Sequence, residues 1–326
     1  MTAQQAKPSS RIGWIDVARG IALVAMAVYH FAWDLEFFGY ATPGMTAVGG
    51  WKLFARSIAS SFLLLVGVSL YLAHIGGIRW PSYWRRLAMV AAAAAAITLA
   101  TWFATPGNYI FFGILHQIAF ATVAGLLFLR LPPLLTLAIG AAIVVVGNFW
   151  STPLFNHPAL AWIGLAEARP RSSDFVPVFP WFGVVLAGMA LAAFAARFGL
   201  FERLRNAAPG AWSNPLAFIG RHSLAFYLIH QPALISIVWL ASQVIGPPPQ
   251  DRKPAFMQAC ETSCLTEQPQ AFCTAYCGCV ADGLQSDGKL DEAFAASQSE
   301  EFRDRLQENV LVCTEAAETM TNTGSQ

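Results

Sequence analysis

The sequence predicts an all-α protein: a polytopic membrane bundle of about seven transmembrane helices, followed by a small, disulfide-stapled helical C-terminal domain. Three observations carry that reading. Of the 326 residues, 56% are hydrophobic and 12% charged, with a mean hydropathy of +0.50, far from the usage of soluble domains. Apolar runs of about 18 residues or more, long enough to cross a bilayer, recur along the chain. All six cysteines and thirteen of the nineteen acidic residues fall after residue 250.

The chain divides into a cytoplasmic segment (1–12), a transmembrane domain (13–246) and an acidic, cysteine-rich extracytoplasmic tail (247–326). The predicted spans are 14–34, 53–73, 87–104, 109–129, 133–150, 177–196 and 217–245, the last long enough that Pro232 is expected to kink it. The run Ala91 to Ala96 in the third span favours close helix approach. The first apolar segment is too long, and too charged at Asp16 and Arg19, to read as a cleavable signal. With the N-terminus inside, the inner segments hold nine basic residues (Lys7, Arg11, Arg79, Arg85, Arg86, Arg130, Arg197, Arg203 and Arg205). The outer segments hold four: Lys52, Arg56, Arg169 and Arg171. That bias points to an inner (plasma) membrane protein whose C-terminal tail lies outside.

The tail carries thirteen Asp/Glu against five Lys/Arg, where the rest of the chain carries six against fifteen. Residues 299–318 read as an amphipathic helix with Phe302, Leu306, Val310 and Cys313 on one side, and 268–284 also read as helical. Cys260/Cys264 and Cys273/Cys277 are each spaced four apart, so each pair shows one helix face and is suited to stapling two helices. With Cys279 and Cys313 they form an even set, expected as disulfides in an oxidising compartment, with 15 possible connectivities. A domain this small needs such cross-links. A metal reading of Cys277-Gly-Cys279 ranks below disulfides. Asp287-Gly-Lys-Leu-Asp291 fails as a calcium loop, since Phe294 stands where the bidentate Glu belongs. No metal site is predicted.

Chemistry concentrates in the first span. At 100° per residue, Asp16, Arg19, His30 and Asp34 project within about an 80° sector. A charged group in hydrocarbon costs about 2.5 kcal/mol or more, so a polar stripe faces a protein interior or a water-filled path. Asp16 and Arg19, three apart near the boundary, form either a simple ion pair or, with Arg11, Arg85 and Arg86, a basic mouth for phosphates. Near the other end, about 16 Å along the axis, Asp34 follows His30 by one turn and is placed to hold the imidazole in one tautomer. Lys52, Arg56 and Ser60 form a second stripe, which is either an interfacial anchor or a positive wall near His30 that binds substrate or stabilises an oxyanion. His116 and Gln117 lie inside an apolar helix, Phe179-Pro-Trp-Phe-Gly183 opens the sixth span, and His230 and Gln231 lie deep in the seventh.

Arg11…Asp16-Val-Ala-Arg-Gly-Ile-Ala…Tyr29-His-Phe-Ala-Trp-Asp34 resembles the opening of the bacterial branch of the heparan-alpha-glucosaminide N-acetyltransferase catalytic-domain family. Gly113-Ile-Leu-His116, Phe179-Pro-Trp181 and Gly220-Arg-His-Ser-Leu…Tyr227-Leu-Ile-His-Gln-Pro232 resemble its later motifs in the same order, so the likeness spans about 11–240. It implies acyl transfer across the membrane, from cytoplasmic acetyl-CoA to an external glycan. In the lysosomal enzyme of that family an asparagine stands in place of His30 and the catalytic histidine lies farther on, so the catalytic role of His30 is read from this sequence and from the wider membrane acyltransferases. The tail matches no part of the family pattern.

The expected function is therefore an integral membrane acyltransferase with acyl-CoA as donor substrate and no permanently bound cofactor. Arg11, Asp16, Arg19, Arg85 and Arg86 hold the donor, and His30, Asp34 and Arg56 carry catalysis. Lys52, His116, Gln117, His230 and Gln231 meet a glycan or other hydroxyl or amine acceptor. The expected partners are the lipid bilayer, acyl-CoA and that acceptor, without nucleic acid. The competing readings are a proton-coupled transporter or channel using the same stripe as an ion path, and a membrane anchor for the tail.

Overall fold

The computed structural model of the chain describes residues 12–168, 170–207, 209–246, 252–265, 267–294 and 298–323. Among them every regular element is helical, apart from a single bridge between Phe112 and Phe175. The apolar helices are α1 (Gly13–Phe37), α2 (Gly49–His74), α3 (Trp80–Ala104), α4 (Ile114–Ala124, extended as a 3₁₀ turn to Phe128), α5 (Pro133–Phe149) and α6 (Val178–Arg197). Short helices α7 (Leu200–Asn206) and α8 (Asn214–Arg221) lead into α9 (Ser223–Ile245). Helices α1, α2, α3, α6 and α9 are long and apolar enough to cross a membrane, and α4 and α5 are shorter apolar helices. This is the pattern of a multi-pass membrane protein.

The seventh span departs from expectation. Its helix is broken at His222, whose backbone leaves the helical region (φ −103°, ψ 30°), while Pro232 sits inside α9. The cause lies in the crossing of α8 over α1. A Cβ on Gly20 would meet the Leu216 backbone, and one on Gly220 the Asp16 backbone, so the two glycines let the chains touch. Beyond His222, α9 turns to run alongside α1 in the same direction. Phe226 and Tyr227 pack in one cluster with Leu23 and Met26, and farther along His230 meets His30. The same device joins α2 to α6: Gly67 lies against the Val185 carbonyl and Gly188 against that of Leu64.

The central core is built from α2, α4 and α6, with Leu63, Ala121, Val185, Leu186 and Met189 almost fully buried. Tyr227 packs against this core and also against the α1/α2 and α3/α4 clusters, linking α9 to all three. At one end of the bundle Ile12, Ala192 and Phe201 gather the start of α1, the end of α6 and α7.

The C-terminal unit has its own helices, α10 (Lys253–Cys264), α11 (Gln270–Ser286) and α12 (Glu300–Thr323). Nested disulfides Cys260–Cys277 and Cys264–Cys273 join α10 and α11 as an antiparallel pair, and Cys279–Cys313 ties α11 to α12. Val280, Leu284, Leu290, Phe302 and Cys313 form its core. The apolar side predicted for α12 is the one buried, with Phe302 and Cys313 inside and Leu306 packed against them.

Candidate active site

His30 and Asp34 stand one turn apart on α1, and α9 sets His230 and Gln231 against them. The two imidazole rings lie 5.0 Å apart between centroids, inclined at 63°. The Gln231 Nε2 donates to Asp34 Oδ1 at 2.8 Å. Asp34 was expected to orient His30; instead the carboxylate is held by Gln231 on the neighbouring helix. His230 Nδ1 lies 2.7 Å from the Tyr227 carbonyl oxygen. A carbonyl can only accept, so Nδ1 carries the proton and Nε2 of the neutral ring keeps its lone pair. His230 Nε2, Asp34 Oδ2 and Gln231 Oε1 are all buried with no hydrogen-bond partner among the described residues. An unmade bond at a buried polar group costs about 1–3 kcal/mol, so three at one place are not accounted for by packing.

Glu36, near the end of α1, holds the turn at residues 44–46. It accepts from the Gly44 and Thr46 amides at 2.6 and 2.9 Å and from the Thr46 hydroxyl at 2.7 Å. Tyr29 packs between His30 and Trp51, with ring centroids at 5.9 and 6.3 Å.

His116 was expected to meet substrate, but its ring is spent on the scaffold. Its Nδ1 accepts from the Gly113 amide at 3.2 Å, and its Nε2 lies 3.2 Å from Thr98 Oγ1. The Thr98 hydroxyl donates to the Ile110 carbonyl at 2.7 Å, so Nε2 must be the donor and neither ring nitrogen is free. Gln117 is fully buried on the α4 face that carries Ile114 and Ala121 into the central core, and both its amide atoms lack a partner among the described residues.

Asp174, to which the sequence reading assigned no role, closes the start of α4. Its Oδ2 accepts from the Ile114 amide at 2.9 Å, over Gly113, where any Cβ would collide with the carboxylate. The Tyr227 side chain hydrogen-bonds to it as well. Residues 173–176 are laid along 108–112 by the Ser173 amide on the Asn108 carbonyl and the Val176 amide on that of Phe112. The signal available in the sequence was a carboxylate just before the Phe-Val-Pro-Val-Phe-Pro stretch, which does not say which helix it caps.

Burial pushes the Asp174 carboxyl up to about 6, against the lowering effect of its two hydrogen bonds. The folded protein thus holds this proton more tightly than the unfolded chain, whose aspartate titrates near pH 4, at about 3.9. Stability from this group is full below about pH 4 and is lost as pH rises through about 6. Asp174→Asn keeps an acceptor for Ile114 but cannot ionise. The variant's melting temperature relative to wild type is expected to rise between pH 4.5 and pH 7.5; a difference independent of pH would refute this.

The basic residues separate into two places. Arg19 pairs with Asp16 at 3.2 Å and hydrogen-bonds Ser69 on α2, so the simple ion pair exists and is anchored to a second helix. Arg85 and Arg86 are exposed on the first turns of α3, which follows directly from the end of α2. Arg11 lies outside the described residues. Lys52 and Arg56 were expected to wall the His30 site, but they line a separate cavity with α5, α6 and the loop between them. The reason is register: Phe54, Ile58 and Phe62 are the residues of α2 that turn toward α1.

The family model described as heparan-alpha-glucosaminide N-acetyltransferase, catalytic, matches residues 11–232 of the chain. No curated protein and no solved structure matches it.

Proposed function

The chain belongs to the heparan-alpha-glucosaminide N-acetyltransferase catalytic-domain family, and from that membership we propose that it moves an acetyl group from acetyl-CoA to an amine or hydroxyl of an extracytoplasmic glycan-type acceptor. The observation that carries the reading is the meeting of His30 and His230 beside the Gln231–Asp34 pair, with a buried imidazole lone pair and carboxylate oxygen left unpartnered.

Acyl transfer needs a base for the attacking group and a proton for the departing thiolate. His230, its Nδ1–H fixed on the Tyr227 carbonyl, offers Nε2 as that base. The acceptor's nitrogen or oxygen attacks the thioester carbonyl as Nε2 takes its proton. The C–S bond then breaks, and the proton passes from the imidazolium to the CoA sulfur. His30, edge-on to His230, is placed to relay that proton or to hold the acceptor. An imidazolium forming here has the Asp34 carboxylate nearby as counter-charge.

The donor's phosphates suit the end of the bundle that carries Arg19, Arg85 and Arg86. At 1.5 Å per residue, Arg19 and His30 are about 16 Å apart along α1, a distance the extended pantetheine arm covers. The nine-to-four excess of basic residues in the segments read from the sequence as inner supports placing them in the cytoplasm, in a bacterial inner membrane. The three disulfides of the tail support an oxidising compartment on the far side.

Purified protein in proteoliposomes with labelled acetyl-CoA tests the proposal. Thioester loss, by slow hydrolysis or by transfer to a supplied amino sugar, is expected for wild type and abolished in His30→Ala at unchanged folding. Wild-type turnover in that variant would refute the site; no turnover with any acyl-CoA would refute the reaction.

A further inference from the structure

The second stripe of polar residues has a site of its own. A cavity of about 610 Å³ opens between α2, α5, α6 and the loop joining the last two, within the size range of small-ligand pockets. Lys52, Arg56 and Ser60 enter it from α2. They extend the face of α2 that, through Leu63 and Gly67, packs on α6, and where that packing stops they meet open space instead. Neither Lys52 nor Arg56 has an ion-pair partner among the described residues, and Glu167 is the one carboxylate lining the cavity, leaving an excess of positive charge.

Two unpaired cations on a spanning helix need a reason. Arg56 is the eighth residue of α2, about 10 Å from its first residue at 1.5 Å per residue. An arginine that deep in a lipid-facing helix is costly unless it faces a polar space. Interfacial anchoring does not account for the rest of the lining. Trp150 and Trp181 supply flat apolar faces, while Asn148 and Ser151 supply hydrogen-bonding groups. The Asn148 Nδ2 donates to the Val144 carbonyl at 2.8 Å, which leaves its Oδ1 free to accept from a ligand. Flat aromatic faces beside hydrogen-bonding edges suit a sugar ring or a polyol, whose C–H and O–H groups lie in different directions.

We propose that this cavity binds the anionic end of a sugar or polyol ligand, with one phosphate or carboxylate between Lys52 and Arg56 and the ring or polyol against the tryptophans. The site is separate from the histidine pair and does not depend on the acetyl-transfer reading. The same chemistry is offered by a free sugar phosphate and by an anionic lipid headgroup such as phosphatidylglycerol, and the two sources can be told apart.

The test is a calorimetric titration of the full chain in neutral detergent with glucose 1-phosphate, and in parallel with phosphatidylglycerol micelles. Glucose serves as the uncharged control. Wild type is expected to bind one or both anionic probes and not glucose. Arg56→Gln should weaken binding by about ten- to a hundredfold, as for loss of one charge-assisted contact, and Lys52→Gln should weaken it as well. Glu167→Gln should tighten it, and His30→Ala should leave it unchanged. All three charge variants replace exposed side chains with a polar amide, so folding is preserved. Binding of glucose 1-phosphate assigns a soluble ligand; binding of phosphatidylglycerol alone assigns a lipid. Failure of both probes, glucose binding as tight as the phosphate, or affinity indifferent to Arg56→Gln would each overturn the proposal.

Discussion

Replacing His230 with alanine is expected to lower acetyl transfer by about 10²–10⁴-fold, the range for loss of a positioned general base, while the protein still folds. Replacing His116 with alanine is expected to do the reverse, costing about 1–2 kcal/mol of stability with far less effect on turnover of folded enzyme. The two residues look alike in the sequence, each a histidine followed by glutamine in an apolar helix. The structure separates them by what their nitrogens do. His116 accepts at Nδ1 from the Gly113 amide and donates from Nε2 to Thr98, so its loss leaves one donor at the start of α4 and one acceptor on α3 unmet. His230 uses only Nδ1, on the Tyr227 carbonyl, and keeps Nε2 free inside the site. His230→Gln sharpens the test, because glutamine retains bulk and a donor but has no basic nitrogen. Turnover as low as in the alanine variant supports the base; turnover near wild type in His230→Gln would assign His230 to positioning. Comparison of melting temperatures with initial rates separates loss of fold from loss of the base.

The polar face of α1 was legible because helical period is a local property: Asp16, Arg19, His30 and Asp34 are fixed on one side by spacing alone. The staples of the tail were legible for the same reason, since Cys260/Cys264 and Cys273/Cys277 each mark one face of one helix. What the spacing could not supply was the partner across the bundle. Asp34 and Gln231 are 197 residues apart, and nothing in either segment says that α9 runs beside α1 rather than elsewhere. Helix register decided the fate of Lys52 and Arg56. They share α2 with Ile58, yet Ile58 faces α1 while they face the α5/α6 cavity. Asp174 was missed because a cap supplied from 60 residues away leaves no trace near the helix it caps. The break at His222 escaped notice because its cause is the backbone of α1 lying against Gly220, a tertiary contact. Local pattern thus located the groups that carry chemistry, and packing decided which of them meet.

In the tail, removing the Cys279–Cys313 bridge by a double substitution to alanine is expected to be the most damaging change of the three disulfides. The bridge closes a separation of 34 residues, for which chain entropy alone gives about 3.8 kcal/mol. The Cys264–Cys273 bridge spans 9 residues and lies inside the loop that Cys260–Cys277 already closes, so its removal frees far less of the unfolded chain. Packing adds to the contrast. Cys313 belongs to the core with Phe302 and Leu284, whereas α10, held by the other two bridges, has no fully buried residue. A core of this size leaves a margin of only about 3–5 kcal/mol, so loss of the long bridge consumes most of it. Cleavage of the tail in the full chain by a nonspecific protease, in the regime where opening is faster than cutting, should then rise by about 10²–10³-fold. For the Cys264→Ala/Cys273→Ala pair the rise should be much smaller. Equal protection in the two double variants would mean that the α11–α12 interface holds without its cross-link. The tail's stability would then come from its apolar core rather than from the disulfides.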